Sequence, residues 1–220
     1  MWRRYEKYVP DRHLFFNQGA YMSRILKVAI ALLIASSLSA CAGFRSGDLG
    51  KVEGWTTTTD VQKKKSINYT LVMQSKNDEV VIVQPATGPG MDTLKKELDA
   101  AFEESSLFNT IKSDGSTATV QVAVTTTSSG AGSPILAMIS GATFGVIPAF
   151  AKDTFEVRMD FKDASGKALG SVQKTESVTM IIHLVMIPLM PFKFPFSEIS
   201  DSHRDIYRAI LKEAQGKGYI

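Results

Sequence analysis

Thr117-Ala-Thr-Val-Gln-Val-Ala-Val-Thr-Thr126 alternates apolar and polar residues. Ala118, Val120, Val122 and Val124 share one side; Thr117, Thr119, Gln121 and Thr125 share the other. Successive side chains of a strand point to opposite faces, so this run reads as a strand with one face in a core and one in water. Thr154 to Phe161 repeats the pattern, with Phe155, Val157, Met159 and Phe161 set against Glu156, Arg158 and Asp160. Asp163-Ala-Ser-Gly166 is a hairpin turn that leads into a third, weaker strand from Ala168 to about Thr179.

Further signals lie on both sides of this unit. Ile67, Tyr69, Leu71 and Met73 alternate as a strand, Ser75-Lys-Asn-Asp78 reads as a turn, and the continuous apolar run Val80-Val-Ile-Val83 predicts a second, buried strand. Pro85 and Gly88-Pro89-Gly90 end it, the latter read as a turn. Asp92 is the expected cap of a helix to about Ser105, with Leu94, Leu98, Ala101 and Phe102 on one stripe. Asp114-Gly115 marks a turn. Ile206, Ala209, Ile210, Leu211 and Ala214 form the apolar face of a C-terminal helix that ends near Gly216. The sum is an α/β (α+β) fold, a two-layer sandwich of a mixed or antiparallel sheet with two main helices, and no internal repeat.

The N-terminal segment reads as an address. Arg24 and Lys27 precede the apolar run Val28 to Ala35, and Ser36, Ser37, Ser39 and Ala40 are small residues near a cut. The run is shorter than the roughly 20 residues of a spanning helix. Leu38-Ser39-Ala40-Cys41 then resembles the lipobox of bacterial lipoproteins. The resemblance implies cleavage between Ala40 and Cys41 and a diacylglycerol on the Cys41 thiol. It also implies, through Ala42 in place of Asp, an outer-membrane address facing the periplasm. On this reading residues 1–21 are an over-extended start, 22–40 a signal peptide, 41–65 a lipidated flexible tether, and 66–220 one periplasmic domain. The tether rests on Gly43, Gly47, Gly50, Gly54, the Thr56–Thr59 run and Lys63-Lys64-Lys65, with Trp55 the residue able to dock.

Charge is divided at the same point. The chain holds 25 Lys/Arg and 22 Asp/Glu. Six of those bases and two of those acids precede Cys41, which leaves 19 against 20, a net of −1, for the rest. No basic stripe remains for phosphates, so nucleic acid is not an expected partner. The single cysteine excludes an internal disulfide.

Two apolar stretches interrupt the strands. Ser133 to Ala151 carries no charge, and Val178 to Phe196 carries only Lys193. If the three central strands run antiparallel, both stretches meet at one pole of the sheet. Three readings follow: extra core, an apolar surface for a partner or for self-assembly, and membrane dipping or spanning. The candidate surface residues are Ile139, Phe144, Ile147, Ile182, Leu184, Met186 and Phe192. Met138, Met180, Met186 and Met190 would make such a surface adaptable. Three prolines between 188 and 195 oppose a spanning helix.

No catalytic constellation is visible. His183 sits in an apolar run. His203, with Asp201, Ser202 and Asp205, reads as a surface helix group, because triad members meet through a fold and not along a helix turn. No second cysteine and no His pair offers a metal site, and no cofactor is expected. Thr93 to Val124, a helix, a Ser-Ser-Leu-Phe step and a strand, is loosely similar to the α/β domain of periplasmic lipoproteins of secretion pores and envelope machines, the curli-secretion type among them. The resemblance implies an assembly role and transfers no functional residue. The expected partners are the membrane, through lipid on Cys41, and envelope proteins or further copies of the chain. The alternatives are a pore-like oligomer and a carrier of a small or lipid ligand.

Overall fold

The structure is a computed structural model that describes residues 26–28, 41–55, 64–77, 79–115, 117–189 and 191–220. The expectations for residues 1–21, for Leu38-Ser39-Ala40, for the Thr56–Thr59 run and for Lys63 lie outside these residues, as do Asp78 and Met190.

Strands β1 (Cys41–Arg45), β2 (Lys65–Asn77), β3 (Val80–Val83), β4 (Phe108–Lys112), β5 (Val120–Gly132), β6 (Ala149–Asp163) and β7 (Ala168–Ile182) form one mixed sheet in the order β1-β7-β6-β5-β2-β3. β4 pairs in parallel with the start of β2, and β3 pairs antiparallel with its end, so both lie on the same edge. β5, β6 and β7 are antiparallel neighbours, and β2 runs parallel to β5. Between the strands and after them lie two long helices, α1 (Pro89–Ser105) and α3 (Pro195–Gly216), a short α2 (Pro134–Ala142) and a 3-10 turn, η1 (Leu184–Leu189). A two-layer α/β arrangement with a mixed sheet is therefore observed.

The alternating runs decide which face is covered. Val120, Val122, Val124, Val157, Met159, Phe161 and Val172 are buried against Leu98 and Phe102 of α1 and Ile206, Ile210 and Leu211 of α3. Buried side chains of this size stabilise a domain by about 1.5–3 kcal/mol each relative to exposure. The opposite face carries the exposed Glu156 and Arg158 and the half-buried Gln121, Thr125 and Thr127 of β5.

Several local expectations change. All four residues of Val80–Val83 are exposed, not buried, because β3 pairs only with the last residues of β2 and no helix covers it. A short apolar run does not itself reveal which layer covers it. Gly88, not Asp92, takes the N-cap position of α1, and Pro89 enters the first turn, where its missing N–H is no loss. β4 was not foreseen as a separate strand, and Ser75–Asn77 belong to β2 instead of to a turn.

The tether expectation is overturned for residues 41–55. β1 pairs antiparallel along β7, from Cys41 opposite Ile182 to Arg45 opposite Val178. Gly43 lets α3 come close: a Cβ there would lie 2.8 Å from Cα of Pro195. The Arg45 guanidinium donates to Glu176 at 2.9 Å and to Asp205 of α3. The fully buried Glu176 carboxylate also accepts from the backbone N–H of Gly50 at 3.1 Å and of Ser177 at 2.9 Å. Burial works against the charge on Arg45, but the two carboxylates outweigh it and hold its pKa above the ordinary value. The chain then crosses α3. Arg208 joins Asp205, Glu104 of α1 and the carbonyl of Val52, while Lys212 donates to the carbonyls of Glu53 and Gly54 and stands over the Trp55 ring. Two of the glycines expected to loosen this segment, Gly43 and Gly47, instead permit close approach; at Gly47 a Cβ would lie 2.0 Å from Oε1 of Glu176.

Glu176→Ala leaves Arg45 without its most buried partner and is expected to destabilise the domain by about 3–5 kcal/mol. Gly47→Ala is expected to act in the same direction by displacing that carboxylate. Denaturant melts with amide exchange across 42–49 measure both; unchanged midpoints and protection would show that β1 is held by its ladder alone.

Candidate functional site

The long central strands outrun the helices. At the far end, β5 passes through Ser128, Gly130 and Gly132 into α2, β6 begins at Ala149, and β7 ends at Ile182 and enters η1. The sheet register thus brings both apolar stretches to one pole, as antiparallel strands require. Hydrogen bonds knit them together. Leu184 N–H donates to the carbonyl of Gly145 at 2.8 Å, and the Ser140 hydroxyl to the carbonyl of Ile182 at 3.4 Å.

Little of this pole is core. Ser140, Gly145 and Ala149 are buried, but they are small. Ile135, Leu136, Met138, Ile139, Phe144, Val146, Ile147, Phe150, Leu184, Val185, Leu189, Phe192, Phe194 and Phe196 are exposed, with Phe192 at 80% and Met138 at 75%. Of the residues expected to form a surface, Ile139, Phe144, Ile147, Leu184 and Phe192 are exposed, while Ile182 and Met186 are half-buried. The extra-core reading does not survive this exposure. Spanning as a helix does not either: α2 has nine residues, and among the described residues no helix is long and apolar enough to cross a membrane.

Within the two stretches, the candidate list left out Ile135, Leu136, Val146, Phe150, Val185, Leu189, Phe194 and Phe196, all exposed. The closely spaced aromatics at 192, 194 and 196 were the available signal, because prolines at 191 and 195 deny them a regular apolar stripe.

Phe144 shows how the pole is built. The Ser133 hydroxyl caps α2 by accepting from Leu136 N–H, and Pro134 fits its first turn. The helix ends after Ala142, and Phe144 takes φ 52°, followed by Gly145 at φ 77°. A left-handed conformation costs a side chain with a Cβ about 1–2 kcal/mol. The strain here displays an aromatic ring to solvent.

Cys41 belongs to the same pole. Its backbone lies opposite Ile182, which in turn lies opposite Ala149, so these three residues form the terminal row of β1, β7 and β6. Gly43 N–H donates to the carbonyl of Lys193, two residues further along β1. Partial burial raises the Cys41 thiol pKa above its ordinary value.

The histidine group lies elsewhere, between α1, α3 and the sheet. His203 is buried, as are Ser202 and Asp205, so the surface-helix reading is corrected for these three; Asp201 alone is exposed. They fall on the α3 face that carries Ile206, Tyr207 and Ile210 into the core. His203 Nδ1 meets Glu97 at 2.8 Å, and its ring packs edge-on to Phe155 at 4.7 Å. The Ser202 hydroxyl donates to the carbonyl of Glu198, and the Ser200 hydroxyl to the other oxygen of Glu97, so neither serine is bonded to the histidine. Asp205 serves the Arg45 cluster. The adjacent groove, lined by Lys96, Glu97, Ala100, Ser200 and Arg204, encloses about 180 Å³. Ligand cavities hold roughly 300–1,000 Å³. His183, half-buried, accepts from Val185 N–H through Nδ1. Among the described residues no cluster of three His, Cys, Asp or Glu side chains is placed to hold a metal.

No family model matches the chain, and no curated protein matches it. Among solved structures it is similar to protein XCC0632 from Xanthomonas campestris, of the family-model DUF330, at 10% identity and a TM-score of 0.38, over 76% of this chain and 95% of that one.

Phe144→Gly is expected to relieve the left-handed strain and raise stability by about 1 kcal/mol. Met138→Glu and Phe192→Glu are expected to change stability by less than about 0.5 kcal/mol, because the two side chains are 75% and 80% exposed. Thermal melts of the three variants decide. A large loss in the two charged variants would mean that the pole is packed, not displayed.

Proposed function

We propose that this chain is an outer-membrane lipoprotein, anchored through lipid on Cys41, whose non-catalytic periplasmic domain is an accessory or structural subunit of a cell-envelope assembly or secretion machine. The observation that carries the reading is the position of Cys41. The residue that closes a lipobox begins an edge strand, beside a pole of exposed apolar side chains. Two or three acyl chains give durable attachment, at about 0.8 kcal/mol for each buried CH₂. A domain held this way acts by what it touches, and its open faces support a binding role. Besides the pole, the uncovered edge strand β3 presents Val80, Val81, Ile82 and Val83 to solvent. An unpaired apolar edge is suited to strand addition by another chain.

The chemistry of the interior points the same way. The buried histidine is engaged by a carboxylate and an aromatic edge. These groups serve packing better than turnover.

The test is the mass of protein extracted from membranes in mild detergent. The intact spectrum is expected to begin at a Cys41 bearing diacylglycerol, and Cys41→Ser is expected to leave the membrane fraction. The native spectrum is expected to contain a defined assembly, with other envelope proteins or further copies. An acylated chain that stays monomeric without partners would defeat the subunit reading, and an unmodified Cys41 would defeat the anchor.

A further inference from the structure

We propose that the pole around Cys41 is a bilayer-contacting surface: α2, its following turn and η1 enter the lipid headgroup–acyl boundary beside the anchor, and the strands stand across the membrane surface. The inference rests on the reading of Cys41 as the lipidated residue and deepens it by assigning the apolar pole an occupant.

Three observations select lipid over another protein. The first is the absence of a spacer. β1 begins at Cys41 itself, and the Arg45 cluster with Glu176 and Asp205 fastens that strand to β7 and α3. Acyl chains on this residue leave from the terminal row of the sheet, so the pole is brought to the lipid surface by covalent connection. The second is continuity, since η1 packs on β1 and the Leu184–Gly145 hydrogen bond joins it to the turn after α2. The apolar pole and the anchor are one surface.

The third observation is depth. Moving down from the row of Cys41, Ile182 and Ala149, the first charged side chains on the paired strands are Lys152, three residues along β6, and Arg45, four along β1. At about 3.3 Å per residue this leaves roughly 10 Å of the paired strands without charge. Interfacial elements bury their apolar face by about 5–10 Å. Lys193, the lone charge of the second stretch, comes shallower: its carbonyl lies level with Gly43, two residues or about 7 Å below the row, and its ammonium pairs with Glu198 at 3.1 Å. The charge boundary of the domain thus falls where a headgroup layer would begin.

The experiment uses acylated protein extracted from membranes and reconstituted in vesicles of phosphatidylethanolamine and phosphatidylglycerol. Acylation blocks Cys41, so Met138→Cys, Val185→Cys and Ala164→Cys each offer one thiol for a nitroxide. Ala164 lies in the β6–β7 turn, at the opposite pole. The result expected is loss of access to a water-soluble nickel relaxant at 138 and 185, gain of access to oxygen there, and the reverse at 164. Full aqueous access at 138 and 185 on a chain whose intact mass includes the acyl group overturns the inference and leaves the anchor standing. A mass showing bare Cys41 removes the anchor and with it the basis of the inference. Shielding at 138 and 185 without oxygen access, accompanied by cross-links to a second copy or a named protein, assigns the pole to protein instead and also overturns the inference.

Discussion

The Arg45 guanidinium, held between Glu176 and Asp205, is the contact on which the arrangement depends. A carboxylate without solvent exposure in the second layer of a small domain is costly unless its charge is matched and its oxygens are bonded. Glu176 receives Arg45 and two backbone N–H groups, while Asp205 spans Arg45 and Arg208. The edge strand, the central sheet and α3 meet in this one cluster. Its effect is positional. β1 becomes part of the sheet instead of a leash, and Cys41 acquires a defined place at the end of the strand ladder.

Strand length supplies the second constraint. β5, β6 and β7 run for 13, 15 and 15 residues, and α1 and α3 cover only part of that length. Beyond the helices, β5 carries serine, alanine and glycine, and the chain closes the two connections with apolar residues that have no second layer to enter. α2 is capped and terminated with care, even at the cost of a left-handed phenylalanine, yet buries little. An apolar pole of this kind is stable in water only as the end of a larger buried unit, and its natural complement is another apolar phase.

The parts legible in the sequence were those with a local period. β5 and β6, the Asp163–Gly166 turn and both long helices follow from alternation or from the helical stripe; β5 starts at Val120 instead of Thr117 and runs on to Gly132, and each side chain assigned inward at 117–126 and 154–161 is buried. The pole was also legible, because antiparallel strands joined in sequence return alternate connections to the same end. Val80–Val83 was assigned to a strand but given the wrong environment, since burial depends on what lies above a strand and not on the strand itself. Residues 41–55 were misjudged for a related reason. Glycine and polar residues resemble a linker when read alone, and their partners Glu176, Asp205, Arg208 and Lys212 are more than a hundred residues away.

By itself the sequence determined the mixed α/β composition, the division of apolar residues between a periodic core and two aperiodic stretches, and the lipobox-like run that ends at Cys41. Those features are properties of neighbouring residues, and neighbours suffice to express them. Only the tertiary structure decided that the edge strand begins at that cysteine, that His203 is interior, and that the apolar stretches are displayed beside Cys41. These are relations between distant segments, set by a buried charge cluster and by sheet register, and neither leaves a periodic trace along the chain.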